Sequence, residues 1–225
     1  MKTDPMTIWI FGSPYPFATS GEAAWKQALS AAIPEGPVGQ QTEGVEVTFQ
    51  HRTFLRRNQP FDLDNLCEPV LSVLVNTKKW FGGGRPNIQW IRARKIFDPN
   101  EGCLLTLSAV DPTPIEGDLV LEHLHLGPLP KGARDPALYQ ALSGFPTVSP
   151  TQCFGVSLKF VNHAVNLGEI ATAPVKSLID SLFPVIGGTV GRPHDWRITE
   201  LLVSKQSKPS EEPTVEVKVR RVGSF

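Results

Sequence analysis

A chain of 225 residues, 40% hydrophobic and 20% charged, can bury one large core or two small ones. Its 22 basic residues balance its 22 acidic ones, so net charge gives no argument for nucleic acid, and any such binding has to come from local basic patches. Cys67, Cys103 and Cys153 are distant and form no C-x-x-C pair, which argues against disulfides and zinc; with no secretory leader and no membrane-length apolar run, a soluble cytoplasmic protein is expected.

The 21 prolines and 19 glycines imply short, punctuated elements. Thr7 to Phe11 reads as a strand, and Gly21 to Ile33, after Ser20, as a helix with Ala24, Ala28, Leu29, Ala32 and Ile33 on one side. Val45 to Phe49 alternates strictly, the pattern of a half-buried strand running on toward Phe54. Between that strand and the next helix stands Phe61-Asp62-Leu63-Asp64-Asn65-Leu66, two carboxylates at i and i+2 followed by an amide. From Asp64 to Val75 the apolar residues Leu66, Val70, Val73 and Leu74 recur at helical spacing, with Asp64 or Asn65 as the cap and Pro69 early enough to remove at most one intrahelical bond. Ile88 to Phe97 and Leu104 to Val110 read as a strand pair across a turn at Asp98 to Gly102, and Asp111 to Gly117 as a linker half way along the chain.

Beyond the linker the order of elements returns. Strands are expected at Leu119 to Leu126, Val156 to Val161, Trp196 to Ser204 and Thr214 to Arg221, with helices at Asp135 to Leu142 and Glu169 to Phe183. Pro69-Val70-x-Ser72 recurs as Pro174-Val175-x-Ser177, Gly84-Arg85-Pro86 as Gly191-Arg192-Pro193, and Trp90 as Trp196, at offsets of 105, 107 and 106. Such coherent offsets indicate an internal duplication, with copies at 1–112 and 113–225 forming a pseudo-dimer.

With the order β-α-β-α-β-β and Asp62-Leu63-Asp64-Asn65-Leu66 at the second helix, the first half resembles the RusA family of Holliday junction resolvases. The resemblance implies an α+β fold of two tandem RusA-like units packed as a pseudo-dimer, with magnesium held by aspartates near the interface between units, cutting branched DNA. It covers Ile8 to Val110 well and the second half only through the duplication. Asp62, Asp64 and Asn65 take the places of the first two acidic ligands and the following amide. The lysine expected three residues later is Glu68, the acid expected one turn further is Ser72, and the acidic pair expected between Trp80 and Trp90 is missing. In the second copy Asn166-Leu167-Gly168-Glu169 replaces the motif, Glu169 aligns with Asp64, and Asp195 stands where the later acid belongs. The composite-site expectation follows: Asp195, with Glu169, completes a magnesium site around Asp62 and Asp64.

The same residues also read as plain structure, Asp62 and Asp64 as a turn residue and an N-cap, Asp180 as an exposed ion pair with Lys176 at i−4, and Glu68 as a solvated first-turn acid. Arg52, Arg56 and Arg57, then Lys78, Lys79 and Arg85, then Arg92, Arg94 and Lys95 surround the acidic motif; with Arg192 they are candidate DNA contacts, or else a solvated face. His123 and His125 share a strand face but lack a third metal ligand. Three functions stay open: a divergent endonuclease, nicking rather than resolving symmetrically; an inactive RusA-like subunit that binds DNA structure, alone, as a homodimer or within a larger assembly; and a protein-interaction module.

Overall fold

Alternation along Gly44–His51 turns Val45, Val47, Phe49 and His51 to one buried face, and the same period recurs at Val215, Val217 and Val219. The computed structural model describes residues 5–34, 44–53, 55–56, 59–77, 87–127, 129, 142 and 151–224, with the backbone alone at 55, 56, 59, 60, 77 and 224. The elements are β1 (Met6–Phe11), α1 (Glu22–Ala32), β2 (Gly44–His51), β3 (Leu55–Arg56), β4 (Gln59–Pro60), α2 (Leu63–Thr77), β5 (Trp90–Phe97), β6 (Gly102–Ser108), β7 (Asp118–Leu126), β8 (Gln152–Val161), α3 (Val175–Ser181), α4 (Phe183–Ile186), β9 (Gly188–Thr189), β10 (Arg192–Pro193), a 3-10 turn (Asp195–Arg197), β11 (Ile198–Gln206) and β12 (Thr214–Ser224).

Eight strands form one mixed sheet in the order β1-β6-β2-β5-β11-β8-β12-β7, and with the few helices this is a mixed α/β architecture. Read inward from either edge the order is the same. β1, β6, β2 and β5 pair antiparallel, antiparallel and parallel, as do β7, β12, β8 and β11. The two half-sheets meet where β5 pairs antiparallel with β11. There Arg94 faces Glu200, 106 positions on, the spacing that also separates Trp90 from Trp196, so a local two-fold passes through this pair. Glu200 is bonded across it by Arg94 Nε at 3.2 Å.

One face of the sheet carries the core. Val45, Val47 and Phe49, Ile91 and Ala93, Val156, Leu158 and Phe160, and Val215, Val217 and Val219 are all buried there with the apolar side of α2. α2 rests on β5 and β11, the two strands of the central seam, and α1 packs beside it. Pro69 lies in the middle of α2 and denies the Asn65 carbonyl its helical partner, but Phe17 N–H donates to that carbonyl at 2.9 Å, so the helix runs straight through the proline.

Four expectations change. β5 and β6 do not pair with each other: both pair with β2, which lies between them, and the Asp98-to-Glu101 turn arches over its end, with Asp98 N–H on the His51 carbonyl at 3.1 Å. α2 begins at Leu63, and the Asp62 carbonyl accepts the bond from Leu66 N–H, which puts Asp62 at the cap position and Asp64 inside the first turn. The helix expected from Glu169 starts only at Val175, since Pro174 supplies no N–H and the stretch before it is bent. Trp196 sits in a short 3-10 turn ahead of β11. The helix expected from Asp135 to Leu142, and Gly84-Arg85-Pro86, lie outside the described residues, apart from Leu142, which is helical and buried. Cys67, Cys103 and Cys153 are free and buried. Among the described residues no helix is long and apolar enough to cross a membrane.

Gly44 faces Trp90 across the β2–β5 ladder, and a Cβ there would lie 1.8 Å from the indole ring. Gly44→Ala is expected to lose ~1–3 kcal/mol of stability in urea unfolding, and to lose clearly less in a Trp90→Leu background, because the cost is overpacking against one ring.

Candidate functional site

β2 and β5 run parallel, so the chain leaves β2 and enters α2 at the edge where β5 ends; β11 runs the other way and begins at that same edge. This places Asp62 and Asp64, at the start of α2, against Asp195, in the turn that leads into β11. The two segments are held by one buried ammonium. Lys95, on β5, donates from Nζ to the Phe61 carbonyl at 2.6 Å and to the Trp196 carbonyl at 2.5 Å, each one residue from an aspartate of the pair.

Asp195 stands close enough to Asp62 for its charge to act on the Asp62 carboxyl. Burial, then the charge of Asp195, pushes the Asp62 carboxyl up to about 7, with Asp64 adding to the rise and Lys176 opposing it. Asp64 is 2% exposed, and burial raises its carboxyl too. Into this group reaches Lys176 from the first turn of α3. Its Nζ is 2.5 Å from Asp195 Oδ2, 3.2 Å from Asp64 Oδ2 and 3.3 Å from Asp180 Oδ1. Burial alone would lower the Lys176 ammonium, but Asp64, Asp195 and Asp180 together hold it well above its ordinary range. Burial pulls Lys95 the other way, down to about 8.

Asp62, Asp64 and Asp195 are therefore brought together at one edge of the seam, with the Lys176 ammonium between Asp64 and Asp195. Glu169 stands apart: it is exposed, and it is the acidic neighbour of Glu68. Glu68, in the place of the expected lysine, is buried rather than solvated, accepts from Ala171 N–H at 3.2 Å and so ties α2 to the second half. Asp180 does pair with Lys176, but as part of the carboxylate group rather than as an isolated surface pair.

Of the predicted DNA contacts, Arg192 is exposed on the β9–β10 turn, three residues ahead of Asp195. Arg57, Lys78, Lys79, Arg85 and the side chain of Arg56 lie outside the described residues. Arg92, Arg94 and Lys95 do not make a common patch, because strand alternation separates them: Lys95 is under the site, while Arg92 and Arg94 meet Glu200 on the opposite face.

Two contacts escaped the sequence. Lys176 gave no signal beyond its i, i+4 spacing from Asp180, since the other carboxylates arrive from distant segments. Ser13 Oγ lies 2.9 Å from His51 Nε2, and Glu101 lies 3.5 Å from the same nitrogen. His51 Nδ1 accepts from Thr53 N–H at 3.0 Å, so Nε2 carries the proton in the neutral ring and His51 does not act as a base toward Ser13.

A divalent cation is the group that the acidic motif implies. The donors are all carboxylate oxygens, as magnesium prefers, and Asp64 Oδ2 and Asp180 Oδ1 are buried without a hydrogen bond. Counting Asp62, Asp64, Asp180 and Asp195 against Lys95 and Lys176 leaves a formal charge of two negative units when all are ionised. Donor type therefore suits the ion. As the side chains stand, no three His, Cys, Asp or Glu residues among the described ones are placed to hold a metal, and Lys176 lies between Asp64 and Asp195.

No protein-family model matches the chain, and no curated protein matches it in sequence. Among solved structures it is similar to a cyanuric acid hydrolase described as an evolutionary innovation by structural concatenation, at 10% identity and a TM-score of 0.25, over 99% of this chain and 68% of that one. At that score the likeness supports no statement about fold or activity.

The Asp62 proton has a measurable consequence. With its carboxyl raised from 3.8 to about 7, the folded state binds more protons than the unfolded one across that window, so this contribution to stability is complete below 3.8 and is lost as pH rises through about 7. In metal-free buffer, stability is expected to fall between about pH 4 and 7 by up to ~1.4 kcal/mol per pH unit for this one proton, and Asp62→Asn is expected to flatten that slope in urea titrations. Lys95→Met removes the ammonium from the Phe61 and Trp196 carbonyls and is expected to cost ~2–5 kcal/mol by the same measurement.

Proposed function

We propose that the chain is a divergent RusA-like, magnesium-dependent endonuclease acting on branched or structured DNA, built as two tandem RusA-like units at 1–112 and 113–225 that form a pseudo-dimer within one cytoplasmic chain. The observation that carries this reading is that Asp64 of the first half and Asp195 of the second meet at one ammonium, Lys176, at 3.2 and 2.5 Å, with Asp62 beside them. Acidic residues from opposite sides of a two-fold seam are what a metal centre at a unit interface needs. The palindromic strand order supports the duplication independently.

Asp62, Asp64 and Asp195 are the residues that would hold magnesium, which when bound polarises a phosphodiester and activates water. The chain's own contributions are of two kinds. The buried position of Asp64 and the Lys95 clip fix the carboxylates in place before substrate arrives. Arg192, exposed near Asp195, is suited to a backbone phosphate. The second motif position offers only Asn166, Gly168 and Glu169, and Gln89 stands where the two-fold would put a counterpart of Asp195. One centre per chain means one cut per bound chain, hence nicking.

A second reading, an inactive RusA-like subunit that binds DNA structure, is favoured by the ammonium of Lys176 among the carboxylates. The experiment that separates the two incubates the full chain with four-way junction, fork and linear duplex DNA, in magnesium or in EDTA. Nicking of branched substrates in magnesium is expected, falling by about 100-fold or more in Asp62→Asn, Asp64→Asn and Asp195→Asn. Binding of junctions without cleavage in magnesium would replace the first reading with the second, and no binding at all would remove both.

A further inference from the structure

Three carboxylate oxygens, from α2, α3 and the turn before β11, converge on one point, and an ammonium occupies it. The fit is incomplete. Lys176 Nζ makes a hydrogen bond to Asp195 Oδ2 at 2.5 Å, whereas Asp64 Oδ2 and Asp180 Oδ1, at 3.2 and 3.3 Å, are buried in ionic contact without one. A residue as enclosed as Asp64, 2% exposed, ordinarily satisfies both oxygens. Converging oxygens left with charge but no directed bond suit a small ion that coordinates from several sides better than they suit a tetrahedral ammonium.

We propose that Lys176 holds the cation position of this cluster and competes for it with a divalent metal ion, which enters as the ammonium withdraws toward solvent. The proposal rests on reading the cluster as a cation site and not on nuclease activity. Magnesium–oxygen distances of about 2.1 Å leave no room for a second cation at the same oxygens, and two positive centres there repel strongly in a buried setting. Withdrawal is open to Lys176, since its side chain is 23% exposed and its flexible stem lets the head move outward while the carbons stay packed.

The test uses the full chain without DNA. Manganese binding is followed by electron paramagnetic resonance, and magnesium binding by calorimetry, for the wild type, Lys176→Met and Lys176→Gln. Loss of the competing charge is expected to tighten binding of both ions by about tenfold or more in both variants. Equal or weaker binding overturns the proposal, because it makes Lys176 a support for the carboxylates rather than a rival of the metal. Adding Asp64→Asn to Lys176→Met is expected to reverse the gain; a gain that persists puts the ion elsewhere and also overturns it. A measurement on the wild type alone guards against a variant that folds poorly: Lys176 is expected to resist acylation in EDTA and to become labelled at saturating manganese, read by mass spectrometry. Unchanged labelling at saturation overturns the proposal. Absence of DNA cleavage would remove the nuclease reading and leave this one standing.

Discussion

The antiparallel seam between β5 and β11 is the constraint on which everything else in this molecule depends. Parallel pairing of β2 with β5, and of β8 with β11, sends each half's helix off at the edge where its inner strand ends. Joining those inner strands antiparallel brings the helix start of one half to the strand start of the other. Asp62 and Asp195 are neighbours for that topological reason, although 133 positions separate them in sequence. Lys95 then converts proximity into geometry, since its two carbonyl partners lie one on each side of the seam. Burying that ammonium has an electrostatic cost, visible in its lowered pKa of about 8, which the three aspartates nearby offset in part.

The site is a balance of four carboxylates against two ammoniums in a setting that penalises every charge. Protonation of Asp62 is one way to lower the cost, and the central position of Lys176 is another. A divalent ion would be a third. Lysine and metal would compete for the oxygens of Asp64 and Asp195, and the Asp62 proton responds to the charge held there, so proton, lysine and metal occupancy would be linked quantities rather than separate properties. Asp64, the most enclosed of the carboxylates, feels all three.

Much of this was legible in the sequence, for identifiable reasons. The alternation in β2 and the helical spacing in α2 are strong local signals, and repeated motifs at offsets near 106 pointed to a duplication, while the resemblance to RusA set Asp195 beside Asp62 and Asp64. What failed was non-local. A five-residue turn between two apolar runs reads as a hairpin, but β2 pairs more extensively with both strands and comes between them, a choice made by the whole sheet. The Glu169 helix failed because apolar spacing ignored a proline whose place, harmless inside α2, here marks the helix boundary. Lys176 was read from its nearest partner along the helix, and no local pattern reports acids that arrive from another half of the chain.

The linker from Asp111 to Gly117 makes the two halves one molecule, with Ile115 buried against the sheet and Arg92 bonded to the Thr113 carbonyl at 2.9 Å. In an assembly of identical subunits, every substitution is written twice, once on each side of the axis, and a lysine that blocks one pocket blocks both. A single chain spanning both sides breaks that bookkeeping. The two edges of the seam need not match, so carboxylates stand at the edge of Asp62 while Gln89 takes the place opposite Asp195 at the other, and a residue such as Lys176 serves one edge without an echo at the other.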